Sequence, residues 1–374
     1  MTRRAWFLLL ALSVFAAVAV AAWWLRPKPP PRLVLTPARY DQLTGWQDDR
    51  VAAALAPLVR SCTAFLAKPD DMPLDARAKS ADFGAVGEWR KPCATAAGLP
   101  ANDDAAARRF FEDAFAPLLA ANNGDAEGLF TGYFEITLRG ARQRSGPFQT
   151  PLYRRPPEPA RNAHTRAEIE DGALAGQGLE LLWVDDPVDA FFLEIQGSGR
   201  VRLRDGGVVR VGYDGQNGKP YVPVGRLLLD RGEIPREQLT MAAIRGWMAT
   251  HPKEGAALRR ENQSYVFFRE IAGDGPLGAE RVVLSAGRSL AVDRNFIPLG
   301  LPIWLEAQER FKPDTIRRLV IAQDAGGAIK GPVRGDLFWG HGAAASAGAG
   351  AMNARGRYYL LVPRAVAARL ADRN

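Results

Sequence analysis

The chain has 374 residues, a formal net charge of +8, two cysteines and three histidines. So few cysteines and such widely spaced histidines offer no zinc-binding pattern, and no cofactor or metal is expected. The basic residues are dispersed (Arg139, Arg142, Arg144; Arg200, Arg202, Arg204; Arg259, Arg260; Arg317, Arg318) rather than gathered in a basic tail, which argues against a nucleic-acid partner and suits an anionic polymer or anionic headgroups.

Arg3 and Arg4 precede an apolar run from Ala5 to Leu25, interrupted only by Ser13. At about 1.5 Å per residue such a run can cross a bilayer, and its basic start reads as an export signal. Residues 1–26 are therefore expected to be a signal peptide or a signal anchor. Ala19-Val20-Ala21 resembles a processing site, whereas Trp23, Trp24 and Leu25 suit an interfacial anchor. Residues 27–35, rich in Pro and Arg, read as an extended linker. No cysteine lies near this segment, which argues against a lipid anchor. Outside the cytoplasm Cys62 and Cys93 favour a disulfide over two buried thiols, closing a loop of about 30 residues.

Arg50 to Phe65 carries Ala and Leu at helical spacing, with Pro57 a point of kinking or division. The stretch from Lys68 to Pro92 reads as a loop rich in Asp, Pro and Gly. Asn102 is a candidate cap for a helix to about Leu119, whose Phe110, Phe111, Phe115 and Leu118 form an apolar, core-facing stripe. From Leu129 to Leu138 the pattern turns to strand. Thr165 with Glu168 predicts a capped short helix from Arg166 to Asp171. Leu181–Val184 and Ala190–Gln196 read as strands. Val201–Arg204 and Val208–Val211, joined through Asp205-Gly206-Gly207, predict a hairpin, and Gly212 to Gly218 a loop. This block suggests a small β-barrel domain. Helix returns between Pro235 and Thr250 and continues towards Leu258. Strand character resumes at Tyr265–Phe268, Val282–Leu284, Leu301–Leu305, Arg318–Ala322 and Tyr358–Val362; closed barrels bury many short strands without leaving edges.

Chemistry concentrates near the C-terminus. Asp324 follows an apolar strand and precedes Gly326-Gly327, and Asp336 lies 12 positions on, within Arg334-Gly335-Asp336-Leu337-Phe338-Trp339-Gly340. Asp293 is a third carboxylate upstream. Glycines allow sharp turns and close backbone approach to a ligand. Paired carboxylates among glycines and aromatics suggest acid/base work on a sugar polymer, against the plainer reading of Asx-turns or salt bridges with Lys330 or Arg334. Lys330, in the same loop, joins the substrate-binding set. Tyr133 and Trp339, each next to a glycine, are groove candidates for stacking on sugar, while most other strand aromatics belong to the core. Gln196, before Gly197-Ser198-Gly199, is placed to hydrogen-bond a sugar or amide. His164 and His251 read as structural or exposed, and His341 as a loop residue beside the site.

These residues resemble the MltA family of membrane-bound lytic murein transglycosylases. The matching stretches are Thr131–Glu135, Pro151–Tyr153, Phe192–Gly199, Gly212–Gly218, Asn262–Phe268, Gly278-Ala279, Ser289–Asp293, Ile297–Gly300 and Asp324–Gly340, in order. The resemblance implies a mainly β protein: a double-psi β-barrel with an inserted second small β-barrel domain and N-terminal helices. The expected division is 36–134 for the N-terminal part of the larger domain, 135–250 for the insert, and 251–365 for the part carrying the aspartates. Glycan would lie in the groove between the domains.

By the same resemblance Asp336 corresponds to the catalytic acid/base, Asp324 and Asp293 to accompanying carboxylates, and Thr131, Tyr133 and Gln196 to groove positions. The implied enzyme is a peptidoglycan lytic exotransglycosylase, a lyase cleaving the bond between N-acetylmuramic acid and N-acetylglucosamine with a 1,6-anhydromuramoyl product; the residues themselves leave exo and endo cleavage open. Alternatives are a hydrolytic muramidase using Asp336 with Asp324, and a non-catalytic peptidoglycan-binding protein. The expected setting is the periplasm of a Gram-negative bacterium, as an inner-membrane-anchored or a processed soluble monomer. Glycan strands are the partner, with cell-wall synthases or amidases as candidate protein partners.

Overall fold

The computed structural model describes residues 29–273, 275–309 and 315–371. The expected export segment and the start of the linker lie outside the described residues. Among the described residues no helix is long and apolar enough to cross a membrane.

The chain opens with strand β1 (Leu33–Pro37), then helices α1 (Leu55–Phe65), α2 (Val86–Ala97) and α3 (Asp104–Ala114), and strands β2 (Phe115–Asn122) and β3 (Gly128–Ala141). Next come β4 (Thr150–Tyr153), α4 (Arg166–Glu170), β5 (Glu180–Val184), α5 (Pro187–Gln196), β6 (Ser198–Leu203) and β7 (Val208–Gln216). Helices α6 (Val224–Asp230), α7 (Met241–Thr250) and α8 (Pro252–Glu261) lead to β8 (Val266–Glu270). The remainder is β9 (Ser289–Val292), β10 (Pro302–Glu309), β11 (Thr315–Asp324), β12 (Arg334–His341), α9 (Ala343–Ala351), β13 (Asn353–Pro363) and α10 (Arg364–Ala371).

The pairings run β13–β10–β11–β9–β12–β3, and β13 also pairs with β3, so these six strands are hydrogen-bonded in a ring. Strands β1 and β2 extend it from β13. Only the first part of β3 serves this ring. From Ile136 onward β3 pairs with β6 instead, and joins a second sheet in the order β4–β5–β3–β6–β7–β8. Strand β8 therefore belongs by pairing to the second sheet.

Each sheet covers its own core. The first contains Trp46, Trp89, Phe111, Phe130, Trp304 and Tyr358. Trp46 and Trp304 meet edge-on with ring centroids 5.2 Å apart, a geometry worth roughly 0.5–1.5 kcal/mol beyond burial. The second holds Phe134, Phe191, Phe192, Val211, Met248 and Phe268. Cys62 on α1 and Cys93 on α2 form the expected disulfide.

Several local expectations change. Ala190–Gln196 is helix, not strand: Asp186 caps α5 by accepting from Val188 and Asp189, Pro187 takes the first turn, and left-handed Gly197 ends it. Part of the loop expected from Lys68 to Pro92 is α2, where the Glu88 carboxylate accepts from the Ala85 amide (3.0 Å) and Trp89 and Cys93 are buried. The helix expected to reach Leu119 is capped by Asp103 and stops at Ala114; Pro117 cannot donate a helical hydrogen bond, and Phe115–Asn122 pairs as a strand with β1 and β13. Residues 282–284 form only an isolated bridge, Leu277 to Val283. The helix expected from Pro235 is a short turn followed by α7, which Thr240 caps. The loop expected at Gly212 is strand as far as Gln216. The capping box of Thr165 and Glu168 and the hairpin between β6 and β7 form as expected.

The disulfide spans 31 residues, a loop length for which chain entropy gives about 3.7 kcal/mol. Replacing both cysteines by serine should lower the unfolding free energy extrapolated from urea titration by that much, and the midpoint with it, with the circular dichroism spectrum unchanged. A wild-type midpoint would mean that the cross-link stabilises nothing.

Candidate active site

Strand β12 carries Asp336 between β9 and β3, opposite Ala291 on one side and Thr131 on the other. Successive strand residues face opposite ways, so Arg334 and Asp336 leave the same side of β12. Asp336 Oδ1 accepts hydrogen bonds from the Thr131 hydroxyl and from Arg334 Nη1. Arg334 Nη2 donates to Thr131 Oγ1 at 3.0 Å, and Nη1 also reaches the carbonyls of Gly335 (2.6 Å) and Leu129 (3.3 Å). Among the described residues no hydrogen bond reaches Asp336 Oδ2, and the side chain keeps 19% of its surface exposed.

Asp324 ends β11 nearby. Its Oδ2 accepts from the Tyr133 hydroxyl at 2.8 Å, and its Oδ1 from the Ala279 and Ala325 amides, each at 2.8 Å. Burial pushes the Asp324 carboxyl above the usual carboxylate range; the three hydrogen bonds oppose that, and the charge of Asp336 adds to it. Burial and the adjacent Asp324 charge likewise push the Tyr133 phenol well above its usual range. Tyr133 lies two residues after Thr131 on β3, and its ring packs on Phe338 with centroids 5.2 Å apart. The structure thus gathers Asp336, Asp324, Thr131 and Tyr133 into one cluster.

The other expected residues take different places. Asp293 is buried; its carboxylate accepts from the backbone and side-chain amides of Asn295 (3.1 and 2.9 Å) and from the Gly331 amide (2.8 Å). It ties down the loop that carries Lys330, which is exposed. Gln196 accepts from the Phe134 amide at 2.9 Å, which attaches the end of α5 to β3 beside Tyr133. Trp339 is packed rather than open. A Cβ on Gly132 would sit 2.6 Å from its indole nitrogen, and one on Gly348 would sit 2.4 Å from its ring, so the two glycines make the slot. The indole contacts both cores.

Two contributors escaped the sequence reading. In the sequence Arg334 reads only as a salt-bridge partner of the aspartates. Glu280 went unremarked, yet it accepts from the Ser61 hydroxyl (2.5 Å) in a network through Gln323 Nε2 (2.9 Å to Ser61 Oγ) and the Ser289 hydroxyl (2.6 Å to Gln323 Oε1). Gln323 precedes Asp324, so helix α1, stapled at Cys62, braces the strand end that presents that carboxylate. The spacing of Ser289 and Gln323 in two strands gave no local signal for this. A cleft of about 780 Å³, lined by Phe134, Asp189, Met241, Arg245, Ala343 and Ser346 among others, opens between α7 and α9 and includes none of the three aspartates.

Residues 129–269 match the family described as MltA specific insert domain, and residues 288–362 the 3D domain. The chain is 36% identical over 286 residues to membrane-bound lytic murein transglycosylase A of Escherichia coli strain K12, covering 75% of each protein. Among solved structures it is similar to the lytic transglycosylase LtgG of Burkholderia pseudomallei (43% identity, TM-score 0.62, 90% of this chain and 98% of that one). It is also similar to E. coli MltA with bound chitohexaose (29% identity, TM-score 0.68, 90% of this chain and 95% of that one).

Burial raises Glu280 to about 7, above its value in an unfolded chain of about 4.3. The folded protein then holds a proton that the unfolded chain has released, so this contribution is complete below about pH 4.3 and is lost as pH rises through about 7. Unfolding free energy should therefore fall between pH 5 and 8 by on the order of 3 kcal/mol from this group. Glu280→Gln should flatten that slope; an unchanged slope would show that Glu280 does not titrate there.

Proposed function

The chain belongs to the MltA family of lytic murein transglycosylases, and from that premise we propose that Asp336 is its single acid/base. The protein is an enzyme of the lyase type, cleaving murein glycan with formation of 1,6-anhydromuramoyl ends. The observation that carries the assignment of Asp336 is its half-engaged carboxylate: Oδ1 is held by Thr131 and Arg334, and Oδ2 is left for substrate.

In the first step protonated Asp336 gives its proton to the glycosidic oxygen as the bond from muramoyl C1 breaks. The resulting carboxylate takes the proton of the C6 hydroxyl as that oxygen closes on C1. One residue serves twice because the nucleophile is part of the substrate. A hydrolase would need a second carboxylate to activate water or to attack C1. Asp324, its carboxyl raised by burial and held by the Tyr133 hydroxyl and two backbone amides, is the companion carboxylate of the pocket. Asp293 acts by fixing the Gly331 loop. Tyr133, Gln196 and Lys330 bind glycan in the groove, and Trp339 shapes its floor.

The same proposal extends to organisation and setting. The domain that carries the aspartates takes residues 36–134 and the chain after β8 to 365; the insert, expected over 135–250, is extended to Glu270 because β8 pairs with β7. The enzyme works as a periplasmic monomer on glycan strands, alongside wall synthases or amidases. The disulfide supports an oxidising compartment.

With purified murein sacculi, Asp336→Asn should lower release of anhydromuropeptides by roughly 10³-fold or more, and Asp324→Asn by roughly 10- to 100-fold. Near-normal turnover by Asp336→Asn would end the assignment, and binding of sacculi by wild type without any product would favour a non-catalytic role.

A further inference from the structure

Arg334 is engaged from two strands at once. Its Nη1 reaches Asp336 Oδ1 and the carbonyls of Gly335 and Leu129, and its Nη2 reaches Thr131 Oγ1. Its side chain is 15% exposed. Both terminal nitrogens are thus committed to protein acceptors on β3 and β12, and the guanidinium is held in place by two carbonyls that take no part in chemistry. From these contacts the geometry points to Arg334 as a positioning residue for the acid/base step: it fixes which oxygen of Asp336 meets the substrate and stabilises the carboxylate as the proton leaves.

This inference rests on the reading of Asp336 as the acid/base. When Asp336 gives its proton to the glycosidic oxygen, negative charge develops on its carboxylate. A cation already fixed at Oδ1 stabilises that charge more than it stabilises the neutral acid, and it needs no rearrangement as the bond breaks. The nearby Asp324 carboxylate acts in the opposite sense, so the cation also offsets repulsion between the two. Thr131 extends the same clamp, because its hydroxyl donates to Asp336 while accepting from Arg334. Since both nitrogens are occupied by protein, Arg334 contributes to the rate of the bound complex rather than to glycan affinity. A lysine could keep the charge but not the planar fork that spans β3 and β12.

The test compares the full chain with Arg334→Ala, Arg334→Lys and Asp336→Asn on purified murein sacculi. Arg334→Ala should lose about 10²-fold in kcat with apparent KM within about threefold of wild type, as for removal of one preorganised donor. Arg334→Lys should fall between the two. Millimolar guanidinium, but not methylammonium, should restore part of the Arg334→Ala rate. Should Arg334→Ala fail to fold, Arg334→Lys with a wild-type unfolding midpoint, lowered kcat and unchanged KM would carry the same support. A folded Arg334→Ala, or an Arg334→Lys, with kcat within about threefold of wild type beside an inactive Asp336→Asn would overturn the role of Arg334 alone. An active Asp336→Asn would overturn the acid/base reading itself.

Discussion

Strand β3 is hydrogen-bonded into two sheets, and the active cluster depends on that constraint. Up to Glu135 its partners are β12 and β13 of the six-strand ring; from Ile136 its partners are β6 and, at its end, β5. One strand therefore carries Thr131 and Tyr133 to the aspartates and, a few residues on, enters the second core through Phe134 and Ile136. Gln196 grips the Phe134 amide at the changeover. The indole of Trp339 fills the slot between β3 and α9 and touches both cores. A shift in register at β3 would separate Thr131 from Asp336 and turn Tyr133 away from Asp324 together, since strand side chains alternate.

The two carboxylates are close but are held by different donors. Asp324 receives two backbone amides and a phenol, all neutral. Asp336 receives a guanidinium and a hydroxyl on one oxygen only. Two like groups in unlike surroundings take unlike roles, and here only Asp336 has an oxygen without a hydrogen-bond partner among the described residues. Support for Asp324 reaches back through Gln323 and Ser61 to the disulfide-linked helix α1. Helix α1 thus bears on the chemistry through Gln323, the residue before Asp324.

Much of this was legible from residue types and spacing. The three aspartates, the glycine loop and Tyr133 stood out, Thr131 came only with the family resemblance, and an export segment made a disulfide between Cys62 and Cys93 the better reading. The hairpin at Asp205-Gly206 and the cap at Thr165 followed from turn and cap chemistry. What was missed shares a physical cause. Ala190–Gln196 is apolar enough for a buried strand, and only the cap at Asp186 and the stop at Gly197 mark it as helix. The run from Arg334 to His341 carries no clear strand pattern, yet it is held as strand by partners on β3 about 200 residues away in sequence. Arg334 gains its meaning only from that long-range pairing. Trp339 looked open beside a glycine, but the glycines that matter to it, Gly132 and Gly348, come from other elements and enclose it.

In this mechanism the substrate's own C6 oxygen, not water, completes bond cleavage at Asp336. Digestion of murein sacculi in water enriched in oxygen-18, followed by mass spectrometry of the new muramic ends, tests this directly. Intramolecular closure gives anhydro ends that carry no label. One labelled oxygen in each new reducing end would contradict it and make the enzyme a hydrolase.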